Sequence, residues 1–290
     1  MATLTFFHAH PDDEAIATGG TMIGLAAAGH RVVLVTATRG ELGERPEGLL
    51  DPGESLVDRR RAELSEACRI LGVDRQEFLD YLDSGMAGTP ENDRPGSFAS
   101  ADVDEAAEAL ARVLTEEASD VLVIYDEHGG YGHPDHVQVH RVGRRAADLA
   151  GTPIVYMATM NRDFMAELAA QAERLGWQLP AETAEGMDTM GEPSSRITTE
   201  VDVTPRIGMK REAMRAHASQ IPETSFFLSM PDEIFSMVWG REWFIRVRPG
   251  ARAPGQRETD LMVEMEETGT STTAENTARA IRAPDGATSS

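Results

Sequence analysis

Cysteine is almost absent from this chain of 290 residues, where Cys68 is the only one. That excludes an internal disulfide framework and any Cys-rich zinc knuckle, and it favours a reducing compartment. Cys68 itself falls in the apolar periodicity of EACRILG and reads as a core residue. Lysine is as scarce: Lys210 stands alone, and 27 Lys and Arg face 49 Asp and Glu for a formal net charge of -22. A surface this acidic repels nucleic-acid phosphates and anionic membranes. No segment approaches the ~20 apolar residues of a membrane span, and the start lacks the basic and apolar regions of a secretory signal. No nucleic acid and no membrane are expected as partners, and the expected location is the cytoplasm. A homo-oligomer is compatible with the sequence. No internal repeat is visible.

What is present is enough apolar material for a full core, 41% hydrophobic against 26% charged, in a strand and helix alternation. LTFF is a β-prone run, Glu14 to Gly29 reads as a helix, and RVVLVTATRG returns as a buried strand. SLVDRRRAELSEACRILG is an amphipathic helix closed by Gly72, and EFLDYLDS reads as a strand. The helix VDEAAEALARVLTEEA, the strand VLVIY, a helix from Pro134 to Leu149 and the strand IVYMATM follow. This spacing predicts an α/β, Rossmann-like, mostly parallel sheet with helices on both faces, whose sites form at the carboxyl ends of strands. Residues 1–160 are expected to be that catalytic domain. Residues 161–248, less regular, are expected to form a smaller C-terminal α+β portion packed on it and shaping the cleft, with a loop at MDTMGEPSS, a strand at ITTEVDV, a helix through AMRAHASQI and a strand near WFIRV. Residues 249–290 shift to Gly, Thr, Ser, Ala and Glu and are expected to be a disordered acidic tail.

Two dense motifs sit at predicted strand ends: HAHPDDE behind the first strand and DEHGGYGHPDH behind VLVIY. If those strands are neighbours, imidazoles and carboxylates from both loops converge on one point. Three nitrogen or oxygen ligands with an open position suit a zinc ion that acidifies water for attack on a carbonyl. His136 with His140, or His8 with His10, would place ligands within a single element. His10, Asp13 and His136 instead tie the two loops together and are the preferred set. The blander alternative for PDDE is a helix cap, since Asp at a helix start accepts backbone N–H bonds and suits the macrodipole.

AHPDDE followed by YDEHGGYGHPDH resembles the zinc-dependent N-acetylglucosaminyl deacetylases, the PIG-L and LmbE-like family that includes the mycothiol biosynthesis deacetylase and the mycothiol S-conjugate amidase. RRAELSEACRILG, DSGMAGTPEN and MRAHASQI extend the likeness to about Arg248. The resemblance implies a Rossmann-like sheet and hydrolysis of an N-acyl bond on a glucosamine-type small molecule. It implies zinc, with Fe2+ as an alternative the same donors accept, held by His10, Asp13 and His136, with Asp12 as general base. It further implies that His133 stabilises the oxyanion, that Asp135 holds the other nitrogen of His133 and keeps that ring protonated, and that Tyr131 assists. Arg60 and Asp83 match residues that bind the sugar. His128 stands where relatives carry asparagine. Ala17 stands where the conjugate amidase carries a lysine, which weakens that alternative activity. A second alternative, a non-catalytic sugar or nucleotide-binding module, sits poorly with a first βα turn that lacks G-x-G-x-x-G and offers acids to a pyrophosphate.

Overall fold

The computed structural model describes residues 1–45, 47–174, 189–250 and 257–262. Its first half repeats strand and helix: β1 (Thr3–His8), α1 (Asp13–Ala17), α2 (Gly19–Ala27), β2 (Arg31–Thr38), α3 (Leu56–Leu71), β3 (Arg75–Tyr81), α4 (Val103–Glu116) and β4 (Val121–Tyr125). A single turn, α5 (Gly129–Gly132), leads into α6 (Pro134–Ala150) and β5 (Ile154–Thr159). Then come α7 (Arg162–Arg174), β6 (Thr199–Asp202), α8 (Ile207–Ala216), α9 (Asp232–Trp239) and β7 (Arg241–Arg248).

Local chemistry sets the helix limits. Ser55 accepts the Asp58 N–H at the start of α3, and Gly72 ends it in the left-handed region at φ 77°. Pro134 occupies the first turn of α6, where its missing N–H costs nothing. The expected helix from Glu14 to Gly29 forms as two pieces, α1 and α2, broken at Thr18.

The strands form one sheet in the order β3-β2-β1-β4-β5-β7-β6. The first five pair in parallel, and β7 runs antiparallel to both β5 and β6. Side chains alternate across β1: Leu4 and Phe6 join the core layer with Met22, Leu64 and Met214, while Phe7 joins Leu110, Val139 and Val142 on the opposite face. Each phenylalanine is fully buried and contributes about 1.5–3 kcal/mol of transfer free energy. Burial on both faces explains why β1, β2 and β4 read as nearly continuous apolar runs.

Residues 161–248 add β6 and β7 to this sheet, and α8 and α9 pack against its core layer through Ala213, Met214, Phe235 and Val238. The expected disorder beyond 249 does not hold at 257–262: the Glu258 N–H donates to Thr198 O at 2.8 Å, and Leu261 and Met262 are buried. The rest of that tail, and part of the loop at MDTMGEPSS, lie outside the described residues. The chain leaves β1 for β2 and β3 on one side and then crosses from β3 to β4 on the other side of β1, so the crevice at the carboxyl ends of β1 and β4 is the topological switch point where sites form in such sheets.

Candidate active site

The loop after β1 carries His10, Asp12 and Asp13, and α5 with the start of α6 carries Tyr131, His133, Asp135 and His136 to the same crevice. Asp13 Oδ2 lies 3.4 Å from His10 Nδ1 and 3.4 Å from His136 Nε2, and it accepts the His10 N–H at 2.8 Å. His136 Nδ1 faces the Gly129 carbonyl at 3.2 Å, which places the ring proton there and leaves Nε2 buried with no hydrogen-bond partner among the described residues. On the other side, His10 Nε2 lies 3.1 Å from Asp135 Oδ2 and 3.6 Å from Asp83 Oδ1.

These contacts fit a divalent metal ion. Donors about 2.1 Å from a tetrahedral ion lie roughly 3.4 Å apart, an orphaned buried imidazole nitrogen needs a proton donor or a cation for its lone pair, and both histidines have their far nitrogens fixed by oxygen partners. Around His10, the donor groups whose ligand atoms all come within 4.8 Å of one another are His10, His133 and His136, and His10, Asp83, His133 and Asp135; Asp13 touches both His10 and His136 but is in neither group, so His133 is a geometric competitor of Asp13 for the third position. The single-element alternatives fail: His8 uses Nδ1 on Tyr125 Oη at 2.7 Å and Nε2 on Thr18 Oγ1 at 2.9 Å, and His140 Nδ1 faces Tyr125 O at 3.0 Å.

The two aspartates are treated differently by their surroundings. Against the cost of burial, the His136 and His10 rings hold Asp13 well below the usual carboxylate range. Burial pushes Asp12 up to about 6, with Arg60 opposing and Asp13 adding to the rise. Asp12 makes no side-chain cap to α1, so helix capping does not account for it. Its backbone sits at φ 120°, a conformation that costs a non-glycine residue about 1–3 kcal/mol and concentrates at functional sites. Arg60 explains part of how that is held: it donates to Gly40 O at 2.7 Å, to Pro11 O at 2.5 Å and to Asp12 Oδ2 at 3.2 Å.

These partners differ from several of the expected ones. Asp135 does not hold His133 through its carboxylate; that group takes His10 Nε2 and the Ser84 N–H and Oγ–H, while the Asp135 backbone N–H donates to His133 Nδ1 at 3.2 Å. Burial, followed by His10 and His136, pushes the His133 ring down to about 4, the opposite direction from the expected protonated ring. Arg60 and Asp83 spend their hydrogen bonds inside the scaffold, Asp83 accepting from Gly85 N at 2.9 Å and Leu42 N at 3.2 Å, and neither they nor His133 line the adjoining cavity. Tyr131 is nearly half exposed at the mouth, with its ring 4.9 Å from that of His136. Residues without an assigned role turn out to build the site. Asp126 accepts from His128 N and Gly130 N and takes the Thr159 hydroxyl, fixing the glycine-rich loop. Glu14 and His217 are fully buried and paired; their signal was HPDDE together with MRAHASQI.

A cavity of about 430 Å³ opens beside these groups, lined at one end by Asp12, Asp13, Tyr131 and His136 and beyond them by Met160, Trp239 and others. The profile of PIG-L, GlcNAc-PI de-N-acetylase, matches residues 5–147, both motif loops included. A 1D-myo-inositol 2-acetamido-2-deoxy-alpha-D-glucopyranoside deacetylase of Streptomyces griseus is 43% identical over 280 residues, 89% of this chain and 87% of the relative. The chain belongs to the PIG-L family. A PIG-L relative of the same description from Acidothermus cellulolyticus is 40% identical over 275 residues, 90% of this chain and 94% of its own. Among solved structures, the N,N'-diacetylchitobiose deacetylase of Pyrococcus horikoshii superposes with a TM-score of 0.52 at 23% identity, over 84% of this chain and 83% of that one. The 4-carboxy-2-hydroxymuconate hydratase of Pseudomonas putida does so with a TM-score of 0.55 at 20% identity, over 87% and 99%. The PIG-L sheet thus also underlies a hydratase, and function has to be argued from the site.

Proposed function

We propose that this protein is a metal-dependent N-deacetylase that converts 1D-myo-inositol 2-acetamido-2-deoxy-α-D-glucopyranoside to the free amine and acetate. The observation that carries the reading is the Asp13 carboxylate seated between His10 and His136, with the buried His136 Nε2 left for a metal. His10, Asp13 and His136 hold the ion, Asp13 being preferred to His133 because it touches both other donors and brings the negative charge. Zinc suits this nitrogen and oxygen set, and Fe2+ is accepted by the same donors. When bound, the ion supplies Lewis-acid polarisation of the amide carbonyl and an acidified water.

The chain's own groups do the rest. Asp12 lines the cavity beside Asp13 and takes the proton of the attacking water as the oxygen–carbon bond forms. Its carboxyl, with a pKa pushed up to about 6, then passes that proton to the sugar nitrogen as the carbon–nitrogen bond breaks. His133, pushed down to about 4, works as a neutral ring: its Nδ1 accepts the Asp135 N–H, so the proton is on Nε2 and donates to the developing oxyanion, as neutral imidazoles do elsewhere. The general acid is therefore Asp12. Tyr131 adds a second donor from the mouth.

Among the described residues no helix is long and apolar enough to cross a membrane; with the lone buried Cys68, a cytoplasmic enzyme acting on a small amino-sugar is the consistent reading. The test is a panel assay on Zn2+-loaded protein using N-acetylglucosaminyl-inositol, N-acetylglucosamine and a bulky mycothiol S-conjugate, with amine release measured by fluorogenic derivatisation. Turnover is expected on the first. Turnover of the bulky conjugate alone would establish the amidase instead, and no amine from any of them despite bound metal would sink the hydrolase reading.

A further inference from the structure

Among the described residues, the non-glycine residue with the largest positive φ is Asp12, at 120°, and the peptide unit that creates this conformation is gripped at both ends. Its carbonyl, that of Pro11, accepts from the buried Arg60 guanidinium. Its N–H, that of Asp12, donates to Glu14 Oε2 at 3.0 Å. Glu14 is wholly buried, and its other oxygen lies 2.6 Å from Nε2 of the equally buried His217 on the turn that ends α8. A carboxylate is not kept dry without partners, and its two partners here are the peptide and the imidazole.

We infer that Glu14, oriented by His217, is a positioning residue that aims the Asp12 carboxylate by holding the Pro11–Asp12 peptide in its strained orientation. Without an acceptor for the Asp12 N–H, the peptide is free to rotate toward an ordinary backbone conformation, and rotation there swings the Asp12 side chain relative to Asp13. Ser219 and Glu63 extend the hold: Glu63 accepts from Ser219 N at 2.9 Å and Ser219 Oγ at 2.7 Å, locking the turn that carries His217 to the helix that carries Arg60. Neither Glu14 nor His217 lines the cavity or belongs to the donor clusters, so their influence passes through Asp12. The inference rests on Asp12 acting as the proton acceptor.

The test uses the full chain loaded with metal. Glu14→Met keeps the length of the side chain and removes the acceptor; Glu14→Gln retains an oxygen for the Asp12 N–H and an amide for His217. Glu14→Met is expected to lower kcat roughly 10²-fold, the loss typical of a reacting group displaced by about 1 Å. KM, metal stoichiometry and the visible spectrum of the Co2+ form are expected to stay at parent values, and Glu14→Gln is expected to recover most of the rate. A merely structural role would move KM and the Co2+ spectrum together with kcat. Asp12→Asn is run alongside: inactivity there with unchanged kcat in Glu14→Met overturns the positioning role alone, whereas an active Asp12→Asn overturns the reading of Asp12 and this inference with it. If Glu14→Met does not fold, His217→Phe and His217→Gln decide, with the glutamine expected to recover most of what the phenylalanine loses; equal rates in the two overturn the inference.

Discussion

Replacing Gly129 with alanine should strike the metal centre without touching a donor. Gly129 sits at φ 65°, and a Cβ there would lie 2.6 Å from His136 Cβ, 2.8 Å from Val137 N and 2.9 Å from His136 C. The left-handed conformation costs an L-residue roughly 1–2 kcal/mol, and overpacking against backbone and a branch point adds about 1–3 kcal/mol. Together these give roughly 2–5 kcal/mol, or a drop of about 3–8 °C in Tm for a chain of this size. The displaced loop also carries the Gly129 carbonyl that orients His136 through Nδ1, and loss of such an outer contact weakens metal binding about 10–100-fold. Gly151→Ala is the control. Gly151 ends α6 in the left-handed region at φ 67° and has no neighbour within 4 Å, so only the backbone cost applies and metal affinity should hold. The measurements are thermal melts of the metal-free proteins and Zn2+ competition against a chromophoric chelator. Equal Tm values and equal affinities for the two variants would refute the reasoning.

Asp12→Ala should retain the metal and lose about 10²–10⁴-fold in kcat, while Asp13→Ala should lose metal on dialysis; equal metal loss in both would mean their roles are exchanged. Asp135→Asn removes the carboxylate facing His10 Nε2 and should weaken metal affinity by about 10–100-fold, read by the same competition. The buried Glu14 and His217 pair predicts a stability window. Glu14 is held below its ordinary 4.5 and His217 above its ordinary 6.5, in each case against the cost of burial and through the partner. The Glu14 contribution is complete above its unfolded value and lost as pH falls through the folded one; that of His217 is complete below its unfolded value and lost as pH rises through the folded one. The Tm advantage of the parent over His217→Phe should therefore be widest between about 4.5 and 6.5 and narrow on both sides; an advantage that is flat with pH would contradict the pairing.

The fold was legible because parallel strands buried on both faces must be apolar throughout, and VVLV and VLVIY are. The candidate donors were legible because imidazole and carboxylate types at two strand ends have few other reasons to coincide. What escaped was direction. Sequence shows that Asp135 is two residues from His133, but a residue at a helix start offers its backbone to its neighbour and its side chain elsewhere, here to His10 and Ser84. Arg60 looked like a charge on a solvated RRR helix face or a sugar ligand; its burial against Pro11 and Gly40 depends on α3 crossing the first loop, which no spacing encodes. Residues 257–262 carried no apolar period, yet the Glu258 backbone and carboxylate, the Arg257 guanidinium and two apolar side chains fasten them.

Strand β1 reaches β4 across more than a hundred residues, with Leu4 opposite Val121 and Phe6 opposite Val123, and His10 meets Asp135 at a separation of 125. In the proposed donor set, His10 and Asp13 are therefore synthesised long before His136, and neither loop alone can make a tight site. Metal capture becomes a clock on folding: it can begin only once the chain has paid the loop-closure entropy of that pairing. The metal content of a freshly made preparation then counts the molecules whose central sheet has closed.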